Sequence, residues 1–254
     1  MTPLVAVEYE QAVFVVRTDA DEKFFINGLR KDVLVLGGAM AILRDAGRPS
    51  GGTFVDVGAH IGTTTISALT HEHFERAVAI EPDPDNVRLL RANLALNGLA
   101  EQVTVIRAAI SNRPGAAYFV PGDPGMNVAF STKGRLTAEP APGALPIDVV
   151  TLDGLVEQGV VDPSSTGLLW LDCQKCEQDA LQAASRFLAV QAPVVFALRH
   201  RHITAKTLAL AALERRYARF ADLRRKPWEP AVETLPQLLE RRSETKGVTD
   251  VLVF

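Results

Sequence analysis

Cysteine is scarce in this chain: two residues among 254, at positions 173 and 176. A pair three positions apart cannot staple a chain of this size, so no disulfide framework holds the fold together. Neither sign of charge dominates. A formal net charge of -3 with a pI near 6.0 excludes the protein-wide basic surface that general nucleic-acid binding needs, so any basic region must be local. No apolar run reaches the roughly 18 to 20 residues that span a bilayer. The start, MTPLVAVEYEQ, lacks a basic stretch followed by an apolar one. The expectation is a cytoplasmic protein with no membrane partner. Internal repeats are absent as well. What remains is ordinary soluble composition, 47% hydrophobic and 22% charged, long enough for one large α/β domain or two small ones.

Two short strands are expected at 4–9 (LVAVEY) and 12–17 (AVFVVR), and a helix from Lys31 to Asp45 on the spacing of Val33, Leu36, Met40 and Leu43. These make residues 1–48 an N-terminal hairpin and helix, an accessory extension ahead of a main domain at 49–254. There the chain alternates. The segments TFVDV (53–57), AVAIE (77–81), VTVIR (103–107), LLWLD (168–172) and PVVFAL (193–198) are short apolar runs, as buried parallel strands require. Helical patterns lie between them. The clearest begins at Asp83-Pro84, a capping residue followed by proline at the first helical position, carries Val87, Leu90 and Leu94 on one face, and stops at Asn97-Gly98. Another carries Ala180, Leu181, Ala184, Phe187 and Leu188, and a third runs from about Thr204 to Arg216. The reading is an α/β fold: a doubly wound, seven-stranded, mostly parallel sheet whose last strand, TDVLVF, runs antiparallel. Residues 121–146 break the alternation with five prolines and four glycines. A structureless loop of that length in a compact domain reads as a cover over an active site.

The stretch FVDVGAHIGTTT (54–65) sets Asp56, Gly58 and Gly62 at the junction of the first core strand with its helix. Glycine there lets backbone approach a ligand closely, and the helix N-terminus behind it favours a negative group. Nineteen residues beyond Gly62, at the end of the second core strand, stands Glu81, placed to accept hydrogen bonds from the ribose hydroxyls of an adenosine cofactor. A dinucleotide site wants a second glycine where this chain has His60, and Asp56 suits an ammonium better than a phosphate. S-adenosylmethionine carries such an ammonium. A nicotinamide-dependent oxidoreductase is the competing reading of the same turn.

Together, FVDVGAHIGTTT, AIEPDPDNVRLLRANLALNGL, VTVIRAAISNRPGAAYF, VVTLDGL and LLWLDCQKCEQDAL resemble the FkbM family of S-adenosylmethionine-dependent methyltransferases over roughly residues 50–200. The resemblance implies a class I methyltransferase fold in which Asp56, Gly58, Ala59, His60, Ile61 and Gly62 line the methionine part of the cofactor. Glu81 then holds the ribose, and Pro82, Ala108 and Ala109 lie near the adenine. Family members act mostly as O-methyltransferases on sugars and secondary metabolites, which implies a small-molecule acceptor with a hydroxyl. The family pattern D-V-E-G-x-E after the fourth strand reads DCQKCE here. Asp172 and Glu177 match it, while Gln174 and Lys175 do not.

Methyl transfer asks mainly that the acceptor lie in line with the methyl carbon, with a base needed where the acceptor is a hydroxyl. Asp172, ending the fourth strand at the carboxyl edge of the sheet, is the candidate to orient or deprotonate the acceptor, and Glu177 is a second. Their bland readings are a helix cap and a first-turn glutamate. His200, after the fifth strand, is a candidate base near neutral pH. His202, Lys175 and Asn127 of the long loop are candidate acceptor contacts. Cys173 and Cys176 with His200 and His202 form a possible zinc set, weakened because alternate strand positions face opposite sides. A cofactor-binding protein without activity, or one holding that metal, is therefore a further alternative. The basic stretch from Arg199 to Lys226 keeps an RNA methyltransferase in view, and self-association into a homo-oligomer stays open.

Overall fold

A computed structural model describes residues 4–17, 22–48, 51–120, 135–173, 176–199, 212–224, 232–243 and 248–254. The N-terminal segment opens with an antiparallel hairpin of β1 (Leu4–Tyr9) and β2 (Ala12–Arg17). In β2 the side chains alternate as a half-buried strand requires: Ala12, Phe14 and Val16 are buried and the residues between them partly exposed. Helix α1 (Glu22–Asp45) starts nine residues before the expected Lys31. Leu29 is buried with Leu36, Met40 and Leu43, so the apolar face extends about one further turn toward the N-terminus from Val33.

The main domain alternates as its apolar runs predict, through β3 (Thr53–Val57), α2 (Thr63–Thr70), β4 (Arg76–Ile80), α3 (Pro84–Leu96) and β5 (Val103–Ile106). The cap of α3 is the expected one: the Asp83 carboxylate accepts from the Asp85 N–H at 2.8 Å with Pro84 behind it. Further on come β6 (Ala109–Ile110), β7 (Gly115–Val120), β8 (Arg135–Thr137), β9 (Leu145–Val150), α4 (Leu152–Glu157), β10 (Thr166–Leu171), α5 (Glu177–Gln182), α6 (Ser185–Ala189) and β11 (Val194–Arg199). The chain closes with β12 (Phe220–Asp222), β13 (Val232–Glu233), α7 (Leu235–Ser243) and β14 (Val248–Val253).

The main sheet has the order β13-β12-β14-β11-β10-β3-β4-β5. Strands β11, β10, β3, β4 and β5 pair in parallel, and β14 enters antiparallel between β11 and β12. The seven expected strands are thus joined by an eighth, the two-residue β13 at the edge. Adjacent residues of the central strands feed opposite faces: Phe54, Leu168 and Trp170 join one buried cluster, while Val55, Val57, Leu169 and Leu171 join another. The first cluster includes Val7, Phe14, Val16, Leu36 and Leu43. The hairpin and α1 therefore supply part of the layer that seals one face of the sheet.

Two differences from the sequence reading have local causes, and a third contact joins distant parts of the chain. The segment read as a structureless cover contains β8 and the start of β9, which pair with β7 and β6 in a four-stranded second sheet of order β6-β9-β7-β8. Residues 121–134, with Asn127, lie outside the described residues, as does most of the helix expected at 204–216. The single helix expected over 180–188 is two, because Asp153 intervenes: its N–H donates to the Ala183 carbonyl at 2.8 Å, and its carboxylate accepts from the Ser185 and Arg186 N–H groups at 3.0 Å each. His71 makes that third contact. Its Nε2 lies 2.9 Å from Glu10 Oε2, tying the hairpin turn to the end of α2.

The hairpin is fixed to α3 by asparagines. Asn97 and Asn93 accept from the N–H groups of Val13 and Val15 at 2.9 and 2.6 Å, and return bonds to the same residues' carbonyls at 2.7 and 3.3 Å. Asn93, fully buried, also donates to the Ile61 carbonyl at 2.9 Å. Asn93→Ala is expected to lower unfolding free energy by about 2 to 3 kcal/mol, since it strands buried backbone groups. Urea titration of the variant beside the more exposed Asn97→Ala, which should cost less, checks this.

Candidate active site

The chain leaves β3 toward β4 and β5 on one side, and later occupies β10 and β11 on the other. Its switch point lies between β3 and β10, where open α/β sheets form a crevice at the carboxyl ends of the strands. Two backbone links fix that edge. The Asp172 N–H donates to the Val57 carbonyl at 3.0 Å, and the N–H groups of Gly58 and Ala59 donate to the Ile80 carbonyl at 2.9 and 3.1 Å. Gly58 (φ 93) is packed so closely on β10 that a Cβ would collide with the carbonyl oxygen of Asp172. The glycine turn and Asp172, far apart in sequence, are thus in backbone contact.

After Gly58 the turn holds His60 at φ 53 and Gly62 at φ 94, the latter in the N-cap position of α2. His60 is a left-handed non-glycine residue, a strained conformation that surrounding contacts must impose. The contact is visible. The His60 N–H donates to Glu81 Oε2 at 3.0 Å, and Glu81 Oε1 accepts from the Asp83 N–H at 3.0 Å and from Asn86 Nδ2 at 3.1 Å. A carboxylate offers about four acceptor positions, so with three filled Glu81 retains room for about one further hydroxyl. Pro82 follows it, partly exposed, and Ala108 and Ala109 are buried beyond the end of β5.

Acids crowd the same edge. Asp56 is 1% exposed, its Oδ2 accepting from Thr65 Oγ1 at 2.5 Å. Asp32, from α1, accepts from Thr63 Oγ1 at 3.4 Å. Burial pushes Asp32, Asp56 and Glu81 up to about 7 each. Asp172 is raised too, first by burial and then by the charge of Asp250. The facing cations are Arg224, which grips Asp250 through Nε at 2.5 Å and Nη2 at 3.0 Å, and Lys31, 4.0 Å from the same carboxylate. Burial, with Arg17's charge second, lowers His60 to about 4, so its ring is neutral near pH 7.

Of the residues singled out from sequence, Asp56, Gly58 through Gly62, Glu81 and Asp172 converge here. Glu177 is fully buried at the first position of α5, close enough that its charge raises Asp172. The N-cap position of α5 is Cys176, so Asp172 is no cap for that helix. The sulfurs of Cys173 and Cys176 are in contact with their Cα atoms 5.5 Å apart. Lys175, His200 and His202 lie outside the described residues, and the Cys/His set that includes the two histidines lies outside them too. Among the described residues no group of three or more His, Cys, Asp or Glu side chains is arranged to hold a metal, and no helix is long and apolar enough to cross a membrane. Asp32, Arg17 and Asp250 were not singled out; they carry no motif and reach the edge only through tertiary packing.

Comparison with known proteins follows this geometry. The family model described as the methyltransferase FkbM domain matches residues 56–245. No curated protein matches the chain. Among solved structures, the methyltransferase FkbM from Methylobacillus flagellatus KT is 18% identical with a TM-score of 0.49, over 80% of this chain and 44% of that one. The chain thus spans less than half the length of that relative. M. jannaschii TYW2, solved in complex with AdoMet, is 11% identical with a TM-score of 0.50, over 100% of this chain and 85% of that one. The precorrin-6y C5,15-methyltransferase from Geobacter metallireducens GS-15 is 15% identical with a TM-score of 0.42, over 85% of each chain. At 11% identity the likeness to TYW2 speaks for the fold alone, the class I methyltransferase arrangement.

The raised acids make the fold pH-sensitive in a stated direction. A carboxyl held above its ordinary value favours the folded state while protonated, so the stability from Asp32, Asp56 and Glu81 is complete below the ordinary carboxylate range and is lost as pH rises through about 7. Their share of stability should fall across that window and level off above it. Urea midpoints taken from about pH 5 to about pH 8 should decline less steeply in Asp56→Asn than in the unsubstituted protein.

Proposed function

Because the chain belongs to the FkbM methyltransferase domain family, we propose that it is an S-adenosylmethionine-dependent methyltransferase acting on a hydroxyl of a sugar or secondary metabolite. The observation that carries this reading is the backbone contact of Gly58 with Asp172, which sets a glycine turn backed by Glu81 directly beside an acid at the switch point. The residues present fit the cofactor. Glu81 has acceptor capacity for a ribose hydroxyl and the buried acids favour a cation, while Pro82, Ala108 and Ala109 keep the place near the adenine that the family resemblance implies. Gly58 through Gly62 would line the methionine part, with Asp56 beneath them adding negative charge.

When bound, S-adenosylmethionine supplies a methyl carbon made electrophilic by its sulfonium. The protein's task is then to place an acceptor oxygen in line with that carbon and to receive the hydroxyl proton as the new C–O bond forms. Asp172, beside the glycine turn at the carboxyl end of β10, would do both. Burial raises its pKa toward the working pH, which makes its carboxylate a more capable proton acceptor than a solvated one. Glu177, buried behind it, would hold Asp172 in a high-pKa state by like charge. His200, His202, Lys175 and Asn127 retain the acceptor-side roles assigned from sequence.

Titration calorimetry with S-adenosylmethionine, and screening of acceptor pools with labelled cofactor, test the proposal. Tight NAD binding with no response to S-adenosylmethionine would overturn it, and label appearing in RNA would move the acceptor class. Two variants separate binding from chemistry. Glu81→Ala should weaken S-adenosylmethionine binding by roughly tenfold or more, the loss of a hydrogen bond to a charged group. Asp172→Asn should abolish turnover with cofactor affinity nearly unchanged. Affinity for the cationic cofactor should also rise as pH passes upward through about 7, because the raised acids must release protons to meet it.

A further inference from the structure

The matched family region begins at residue 56, yet two side chains from ahead of it flank the glycine turn. Arg17, the last residue of β2, donates from Nη1 to Asn86 Oδ1 at 3.1 Å, and Asn86 in turn donates to Glu81. The other terminal nitrogen of Arg17, Nη2, is buried and has no hydrogen-bond partner among the described residues. Its charge is felt by His60 in the turn. Asp32 of α1 accepts from Thr63 Oγ1 at 3.4 Å, and Thr63 directly follows Gly62. A cation thus stands at the His60 end of the turn and an anion at the Thr63 end.

A buried guanidinium N–H without an acceptor is costly, and an anionic ligand group relieves that cost with a charge-assisted bond. A carboxylate and an ammonium on one carbon, the mark of an α-amino acid, present two opposite charges a short distance apart. Asp56 is poorly placed to take the ammonium directly, its Oδ2 being engaged by Thr65 Oγ1. Asp32 is only partly buried. Resting on the cofactor reading above, we propose that Arg17 and Asp32 clamp the amino-acid end of S-adenosylmethionine, Arg17 taking the carboxylate and Asp32 the ammonium. The N-terminal hairpin and helix then complete the cofactor pocket.

The test compares two ligands by calorimetry. S-adenosylhomocysteine carries the amino-acid end, and 5′-methylthioadenosine keeps the adenosine and sulfur without it. Arg17→Met and Asp32→Asn should each weaken S-adenosylhomocysteine binding by at least about tenfold while leaving 5′-methylthioadenosine affinity essentially unchanged. Arg17→Lys, which keeps the charge but loses the planar fork, should give an intermediate loss. Equal weakening of both ligands would mean that Arg17 only fastens the hairpin to α3, and unchanged S-adenosylhomocysteine binding would mean that neither residue touches the ligand; either outcome overturns the clamp alone. Failure of the unsubstituted protein to bind S-adenosylhomocysteine would remove the cofactor reading and the clamp with it.

Discussion

Where Gly58 meets the carbonyl of Asp172, the ends of β3 and β10 are pressed together with no room for a methyl group. These strands belong to opposite halves of the sheet, and their adjacency is what creates the crevice at the switch point. The glycine is demanded twice, by the close approach and by a φ of 93. Once the strand ends are locked, other features have little freedom. Glu81, one strand away, can reach the His60 N–H, which holds a non-glycine residue in left-handed backbone. Gly62 can then start α2 against Leu90 and Ile66. A side chain at 58 would part β3 from β10 and separate the turn from the acid in one step.

Around this joint, charge is arranged against the interest of the empty fold. Asp56 and Glu81 are sealed from water and Asp32 and Asp172 partly so, and desolvation is the largest influence on each. Arg224 and Lys31 answer Asp250, which leaves the acids nearer the turn poorly compensated. Such a site disfavours phosphates and favours a positively charged guest, the reverse of what a pyrophosphate seat needs. The same feature links stability to function. A cation that restores the carboxylates to their ionised form regains the free energy lost by burying them, so electrostatic strain in the fold becomes selectivity for the ligand.

The parts of the fold that are legible in the sequence are those whose burial is one-sided or complete. Strands β3, β4, β10 and β11 lie inside the main sheet and, with β5 at its edge, read as apolar runs, and α3 announces itself by Asp83-Pro84. The second sheet does not read this way, because β7 (GAAYFV) is small-residue and half exposed and β6 has only two residues. The break between α5 and α6 is invisible locally; it is imposed by Asp153 from another helix. The site divides similarly. Asp56, Gly58, Gly62, Glu81 and Asp172 are legible because each sits at a strand end whose neighbours form a motif. Arg17 and Asp32 belong to no motif, and their relation to the turn exists only after the hairpin has docked.

That docking is a matter of matched spacing. Asn93 and Asn97 are four residues apart, about 6 Å along a helix axis, and the backbone groups they bind, at Val15 and Val13, are two residues apart, about 6.8 Å along a strand. The repeats agree closely enough for both asparagines to bond at once, so β2 runs antiparallel along α3 with one register available. The register that satisfies the asparagines also turns Phe14 and Val16 into the core and carries Arg17 to Asn86, beside Glu81. A slip of one residue would put Phe14 outside and lose the asparagine bonds together. Strand register in the hairpin and the position of a cation at the glycine turn are therefore set by the same bonds, which places the N-terminal segment in the construction of the site as well as of the core.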